Sequence, residues 1–171
     1  SFRYLGIELD EMLNFKQHIN NVKKKIVPMT FAIRRIRPFL SPETAMQLYF
    51  AHVHSHIIYL NSLWNVASAN SIKTIAVVQR KCLRFIQRKY SYSPSRELFT
   101  HQILPVEALN QLSNLILAFK IKHGQLKTNI NLTLNSDVHS YNTRTANDFR
   151  IGKYQTSYGF NNFFVRGLNA Y

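Results

Sequence analysis

Between Phe15 and Ile36 the apolar residues Phe15, Ile19, Val22, Ile26, Met29, Ile33 and Ile36 recur at spacings of four and three, the repeat of one face of an α-helix. The other faces carry Lys16, Lys23, Lys24, Lys25, Arg34, Arg35 and Arg37. A second segment repeats the arrangement, with Ile72, Ile75, Val78, Cys82, Leu83 and Ile86 as its stripe and Lys73, Arg80, Lys81, Arg84, Arg88 and Lys89 outside it. From Met12 to Arg96 a single carboxylate, Glu43, stands against fourteen Lys and Arg. Such a segment folds as helices packed through their apolar stripes, with an outer surface of one sign. The expected class is mainly α. A solvated surface that only needed solubility would mix both signs.

Length and charge narrow the function. The 171 residues, 46% hydrophobic, suffice for one or two compact units with a core. A formal net charge of +14 makes a polyanion the natural partner. No run of 18 apolar residues and no signal-peptide pattern is present, so neither membrane spanning nor secretion is expected. The broad core stripes favour nucleic acid over an anionic membrane surface, which would suit a free amphipathic helix. Cys82, the one cysteine, excludes an internal disulfide framework and reads as a small core residue.

Element boundaries follow from local chemistry. Residues 2–10, "FRYLGIELD", read as a short strand that begins abruptly, as though cut. Glu8 and Asp10 would share a strand face, so a paired-carboxylate metal site competes there with two solvated acids before a turn. Asn14 is placed to cap the first helix, and Pro28 predicts a kink or break near Val27. Ser41, Pro42 and Glu43 form a cap, first-turn proline and dipole-matched acid, followed by Met46, Tyr49 or Phe50, Val53 and Ile57 at helical spacing. His52, His54 and His56 alternate, which on a strand would gather zinc ligands. On this helix only His52 and His56 are neighbours, and no further ligand lies at suggestive spacing, so packed or hydrogen-bonded histidines are expected.

Farther on, Asn70 or Ser71 can cap the third helix. Arg80, Arg84 and Arg88, spaced by four with no acid between them, align as a solvated face or as a row for phosphates. Ser93 and Pro94 repeat the Ser-Pro start. A long helix is expected from Pro105 to His123, with Leu109, Leu112, Leu115 or Ile116 and Phe119 inward and Gly124 as its stop. From Lys127 to Tyr171 the chain turns to Asn, Thr, Ser and Tyr, which reads as short strands, turns and partly disordered segments. There Tyr141, Tyr154, Tyr158, Phe160, Phe163 and Phe164 interleave with Arg144, Arg150 and Arg166, a pattern that fits base stacking or packing on a neighbour equally.

Six phrases occur in one order: "RYLGIELDEMLNFKQHINNVKKKI", "RRIRPFLSPETAMQLYFAHVHSHIIY", "IAVVQRKCLRFI", "YSPSRELF", "ILPVEALNQL" and "YNTR". Together they resemble the C-terminal part of the reverse transcriptase of non-LTR (LINE-type) retrotransposons of the Jockey kind. The resemblance implies that residues 1–13 end the palm at the primer grip. It implies a helical thumb and following helices over 14–126, then a polar, aromatic tail over 127–171. In the family the metal-binding aspartates form an Ala-Asp-Asp motif upstream of this region, where Mg²⁺ is expected. No Asp-Asp pair exists here, and Glu8 and Asp10 do not match it. The implied role is therefore non-catalytic, within a parent RNA-directed DNA polymerase. Pro28 departs from the family pattern, as do Gly152 and Leu168, which stand where prolines are expected. Such changes are what drift in a decaying element copy could leave.

The implied partners are an RNA template, an RNA/DNA duplex and the palm and fingers of the same polymerase. No membrane is implied, the oligomeric state stays open, and the setting is intracellular, nuclear for the parent. The candidate contacts are Lys16, Lys23, Lys24, Lys25, Arg34, Arg35, Arg37, Lys73, Arg80, Lys81, Arg84, Arg88 and Lys89. Two other readings compete. One is a free-standing basic helical adaptor for nucleic acid or an acidic protein, and the other a small metal hydrolase using His52 and His56.

Overall fold

A computed structural model describes residues 1–99, 102–126, 133–139, 141, 144–147, 149–150 and 155. The chain divides into two compact units, Ser1–Asn110 and Gln111–Tyr171. Helix dominates, as the stripes require, beside a small antiparallel sheet.

The single strand expected over residues 2–10 is instead a hairpin, β1 (Phe2–Tyr4) paired with β2 (Ile7–Leu9) in the register Phe2 to Leu9, Arg3 to Glu8 and Tyr4 to Ile7. Leu5 (φ 47°) and Gly6 (φ 82°) make its two-residue turn. Both central residues of such a turn need positive φ, which glycine supplies freely and leucine only under strain. The leucine hid the turn from the sequence. The Tyr59 hydroxyl donates to the Leu5 carbonyl at 2.8 Å and holds the turn in place.

Helix α1 (Lys16–Ile36) follows. Asp10 prepares its start: its carboxylate accepts from the N–H groups of Met12 (3.1 Å), Asn14 (2.9 Å) and Phe15 (2.9 Å), while Asn14 Oδ1 accepts from Lys16 N at 2.9 Å. No break occurs at Pro28, which lies inside one continuous helix. Ile19, Val22 and Ile26 before it and Thr30 and Ile33 after it are all buried on the same stripe. Burying each large aliphatic contributes about 2 kcal/mol, so the two halves together outweigh the roughly 3 kcal/mol cost of an interior proline.

After a short 3₁₀ turn at Arg37–Phe39, α2 (Pro42–Tyr49) starts on the Ser41 cap, whose Oγ accepts from Thr44 N at 3.2 Å. Ser41→Ala is expected to cost about 1 kcal/mol, read as a lower urea midpoint at unchanged slope. The helix then widens into a π-turn, Phe50–His54, and ends in α3 (Ser55–Ile58). Tyr49, Val53 and Ile57 stay fully buried through the widening. The short α4 (Asn61–Trp64) puts the one tryptophan into the core. Helix α5 (Ala69–Gln87) starts earlier than Asn70 or Ser71 would set it, because Ser68 is the cap and accepts from Ser71 N at 3.3 Å. Its stripe of Ile72, Ile75, Val78, Cys82, Leu83 and Ile86 packs beside that of α1. Burial pushes the Cys82 thiol up to about 11, so it stays protonated and serves as core filling.

Helix α6 (Val106–Lys122) ends before Gly124 (φ 66°), as its sequence implies. Its inner face differs from the expected one. Asn114 and Ala118 are buried, while Leu112, Ile116 and Phe119 are exposed. Apolar residues surround this helix almost completely, so periodicity had no single stripe to select. In the second unit, Leu134 and Phe149 form an isolated antiparallel bridge, and Lys122 Nζ lies 5.2 Å from the Phe149 ring centre. The tail residues Tyr154, Tyr158, Phe160, Phe163, Phe164 and Arg166, and the departures Gly152 and Leu168, lie outside the described residues.

Candidate nucleic-acid interface

The C-terminal halves of α1 and α5 lie side by side, and aromatic residues join them. Phe31 and Phe85 meet at 6.3 Å between ring centres with planes tilted by 46°. The Arg34 guanidinium carbon sits 5.0 Å from the Phe85 centre, and Lys81 Nζ 4.7 Å from the Phe31 centre. An aromatic face orients a cation without neutralising it. Both charges thus stay available to an external anion. Phe31 and Phe85 were absent from the candidates drawn from the sequence. The signal that could have found them is their spacing, Phe31 three residues before Arg34 and Phe85 four after Lys81.

Beside this junction lies an open cleft of about 450 Å³ lined by Arg34, Arg37, Pro38, Arg84, Phe85, Arg88 and Lys89. A second depression, about 630 Å³, continues along α1 over Pro28, Phe31, Ala32, Arg34, Arg35 and Ile36. Arg34 belongs to both, and among the described residues no carboxylate lines either. Arg88 stands at the cleft as the C-cap of α5 with φ 54°, in the left-handed region where glycine is favoured. A non-glycine residue there costs about 1 kcal/mol, and in return a cation is held at the mouth of the cleft.

The thirteen cations drawn from the sequence divide into distinct groups. Lys16, Lys23, Lys24, Arg34, Arg35, Lys73, Lys81 and Arg88 are exposed, and Arg80 is half-buried. With about 100° of turn per residue, Lys23, Lys24, Arg34 and Arg35 fall on one sector of α1, as do Lys73, Arg80, Lys81, Arg84 and Arg88 along α5. Lys25 is exposed but half a turn away from Arg34. It faces the histidines instead: the pKa of His18 is lowered chiefly by burial, with Glu8 opposing and Lys25 adding to the fall, and that of His56 by burial, then Lys25 and His52.

Arg37 is a correction to the surface reading. It is buried, its Nε donates to the Ile86 carbonyl at 2.7 Å, and its Nη1 donates to the Leu40 carbonyl at 2.7 Å. A cation on the border of the helix stripe can snorkel outward or close a helix end, and only the neighbouring carbonyls decide which. Arg84 too is directed within the chain, donating from Nη2 to the Ser93 carbonyl (3.0 Å) and Ser95 Oγ (3.1 Å). Lys89 pairs with Glu97 at 3.1 Å. The row Arg80, Arg84, Arg88 is therefore aligned but not uniformly free.

The other candidate sites resolve differently. Asp10 uses both carboxylate oxygens on the three backbone N–H groups before α1. Those bonds give Asp10 a structural role at the start of α1. His54 packs against Tyr49 and Phe50 at 5.8 and 5.2 Å between ring centres, and burial lowers its pKa. Among the described residues no group of three or more His, Cys, Asp and Glu side chains could hold a metal ion, and no helix is long and apolar enough to cross a membrane.

The helices meet through buried stripes and expose a cleft lined by five cations, of which Lys89 is paired with Glu97. The known proteins to which the chain is similar handle nucleic acid by name. Over 102 residues, 57% of the chain, it is 28% identical to the RNA-directed DNA polymerase from mobile element jockey of Drosophila melanogaster. Over 101 residues it is 27% identical to the protein of the same name from Drosophila funebris. The resemblance to a Jockey-like reverse transcriptase region is thus borne out. The matched stretch spans 11% of each relative's length. No family model matches the chain, and no solved structure does.

Proposed function

We propose that this chain is the non-catalytic, thumb-like region of a non-LTR element's RNA-directed DNA polymerase and grips the template–primer duplex through its backbone. The observation that carries this reading is the pair of adjoining depressions at the ends of α1 and α5, where Arg34 and Arg88 line the first, Arg34 and Arg35 the second, and Lys81 sits over Phe31 beside them, with no carboxylate among the described lining residues. A duplex presents phosphates along a line, and cations on packed helices meet them at fixed separations. A polymerase moves over every template, so backbone and shape contacts suit it better than base-edge readout. The β1–β2 hairpin would then be the end of the palm, and the Mg²⁺ chemistry would belong to residues other than those of this chain. The parent protein would work in the nucleus.

Exposure and a shared helix sector support a contact set of Lys23, Lys24, Arg34, Arg35, Lys81 and Arg88, with Lys16, Lys73 and Arg80 at its margins. The test is fluorescence anisotropy with RNA/DNA hybrids of unrelated sequence. A combined Arg34→Ala, Lys81→Ala, Arg88→Ala variant should weaken binding to every hybrid by similar factors and reduce the salt slope by about three. Lys25→Ala should change little. Loss confined to one sequence would contradict backbone gripping, as would an equal loss from Lys25→Ala. In a competition at moderate salt, displacement of the hybrid by an acidic polypeptide would favour the adaptor reading instead.

A further inference from the structure

Past the end of α5, Tyr90 and Tyr92 are 69% and 80% exposed. Their rings lie parallel, 5.2 Å between centres with an interplanar angle of 6°. Rings so open to solvent add little to the buried core, yet the segment that carries them is fastened on both sides. Ser93 N donates to the Tyr90 carbonyl at 3.1 Å, and Arg84 Nη2 bonds the Ser93 carbonyl and Ser95 Oγ. Lys89 Nζ reaches the Glu97 carbonyl and carboxylate at 3.0 and 3.1 Å, and Gln87 Nε2 donates to the Leu98 carbonyl at 3.0 Å. Three side chains of the end of α5 therefore hold the loop on which the tyrosines stand. A clamped loop keeps the rings in place before any partner arrives, so less ordering remains to oppose binding.

The surroundings identify the partner. Arg88 and Lys89 immediately precede the pair and line the cationic cleft, and Glu97, the nearby acid, is already paired with Lys89. A flat aromatic face next to the exposed Arg88 matches a nucleotide whose base is unstacked from its own duplex, with the phosphate toward the cleft and the base on the ring. A base pair stacked inside a duplex offers no free face. We propose that Tyr90 and Tyr92 form a stacking platform for an unpaired nucleobase at the single-stranded edge of the nucleic acid held in the cleft. The proposal rests on the duplex-gripping reading and adds to it a site that distinguishes single from double strand.

The experiment compares three ligands for the full 171-residue chain by anisotropy: a blunt RNA/DNA hybrid, the same hybrid with a short oligothymidine extension, and one whose extension carries abasic sugar phosphates. The two extensions bear equal charge and differ only in bases. Wild type should bind the oligothymidine form about tenfold more tightly than the abasic form. A Tyr90→Ala, Tyr92→Ala variant should abolish that preference while leaving blunt-hybrid affinity and far-ultraviolet circular dichroism unchanged, and Tyr92→Trp should retain it. Equal binding of the two extended ligands by wild type would overturn the platform, as would a preference that survives in the double alanine variant. Failure to bind the blunt hybrid would count against the gripping function. The platform would then be decided by photocrosslinking a single strand containing 5-iodouracil: an adduct on Tyr90 or Tyr92 sustains it, and adducts confined to other residues refute it.

Discussion

Gln79→Leu should destabilise the first unit by about 3–5 kcal/mol, enough to leave a domain of ordinary marginal stability partly unfolded at room temperature. Gln79 lies fully buried on α5, where an apolar residue would be expected. Its Nε2 donates to the Tyr49 hydroxyl at 3.0 Å and to the Leu104 carbonyl at 2.9 Å, while its Oε1 accepts from Val106 N at 3.1 Å. One side chain thereby joins α2, α5 and the first turn of α6, and satisfies an N–H that a helix start leaves unpaired. Leucine matches the volume but strands three buried polar groups, and each unsatisfied group costs about 1–3 kcal/mol. Burial pushes the Tyr49 hydroxyl up to about 12, so it remains protonated at neutral pH and its oxygen can accept from Gln79. Tyr49→Phe removes one partner only and should cost about 1 kcal/mol. Urea unfolding monitored by circular dichroism measures both. A Gln79→Leu variant within 1 kcal/mol of wild type, an error bar set by the usual net worth of one such bond, would show that the network does not hold the unit together.

The second large effect concerns binding. If about five cations among Lys23, Lys24, Arg34, Arg35, Lys81 and Arg88 meet phosphates, log affinity for hybrid duplex should fall against log salt with a slope near −4.5. Raising salt from about 50 to about 200 mM would then weaken binding about 500-fold. That no described residue lining either depression is a carboxylate is what makes so steep a dependence possible, because an internal ion pair would have to be broken before its cation released a counterion. A slope shallower than about −2 would mean that few of these cations reach phosphate, and the cleft would lose its assigned role.

Legibility in the sequence followed how strongly a stretch constrained its own backbone. The α5 stripe was readable in full and the α1 stripe in most positions, because apolar residues recur with one period beside cationic faces; Met29 and Ile36 are exposed instead, and Thr30 is the buried residue between Ile26 and Ile33. Ser41, Pro42 and Glu43 were readable because a cap is local chemistry. The hairpin turn was not, since Leu5 occupies a position that sequence preference assigns to Asn, Asp or Gly. The continuity of α1 through Pro28 was hidden because a local penalty was outweighed by burial spread over both halves of the helix. On α6, apolar residues on nearly every side left the buried face to be chosen by packing.

The candidate site shows the same division. The thirteen cations, their near freedom from acids and the resemblance to a Jockey-like polymerase region were all present in the one-dimensional chain. Which of those cations face outward together was not. Arg37 and Arg34 lie three residues apart with equal charge, yet Arg37 is buried on the Ile86 and Leu40 carbonyls while Arg34 rests over Phe85 at the cleft. Tyr90 and Tyr92 became a pair only once Arg84, Lys89 and Gln87 had closed the loop around them. The sequence by itself determined helicity, the sign of the surface and most of the core stripes of α1 and α5, because these depend on residue type and spacing along one chain. The tertiary structure alone decided which charges converge, because that depends on which carbonyls and rings other segments bring within hydrogen-bonding or contact distance.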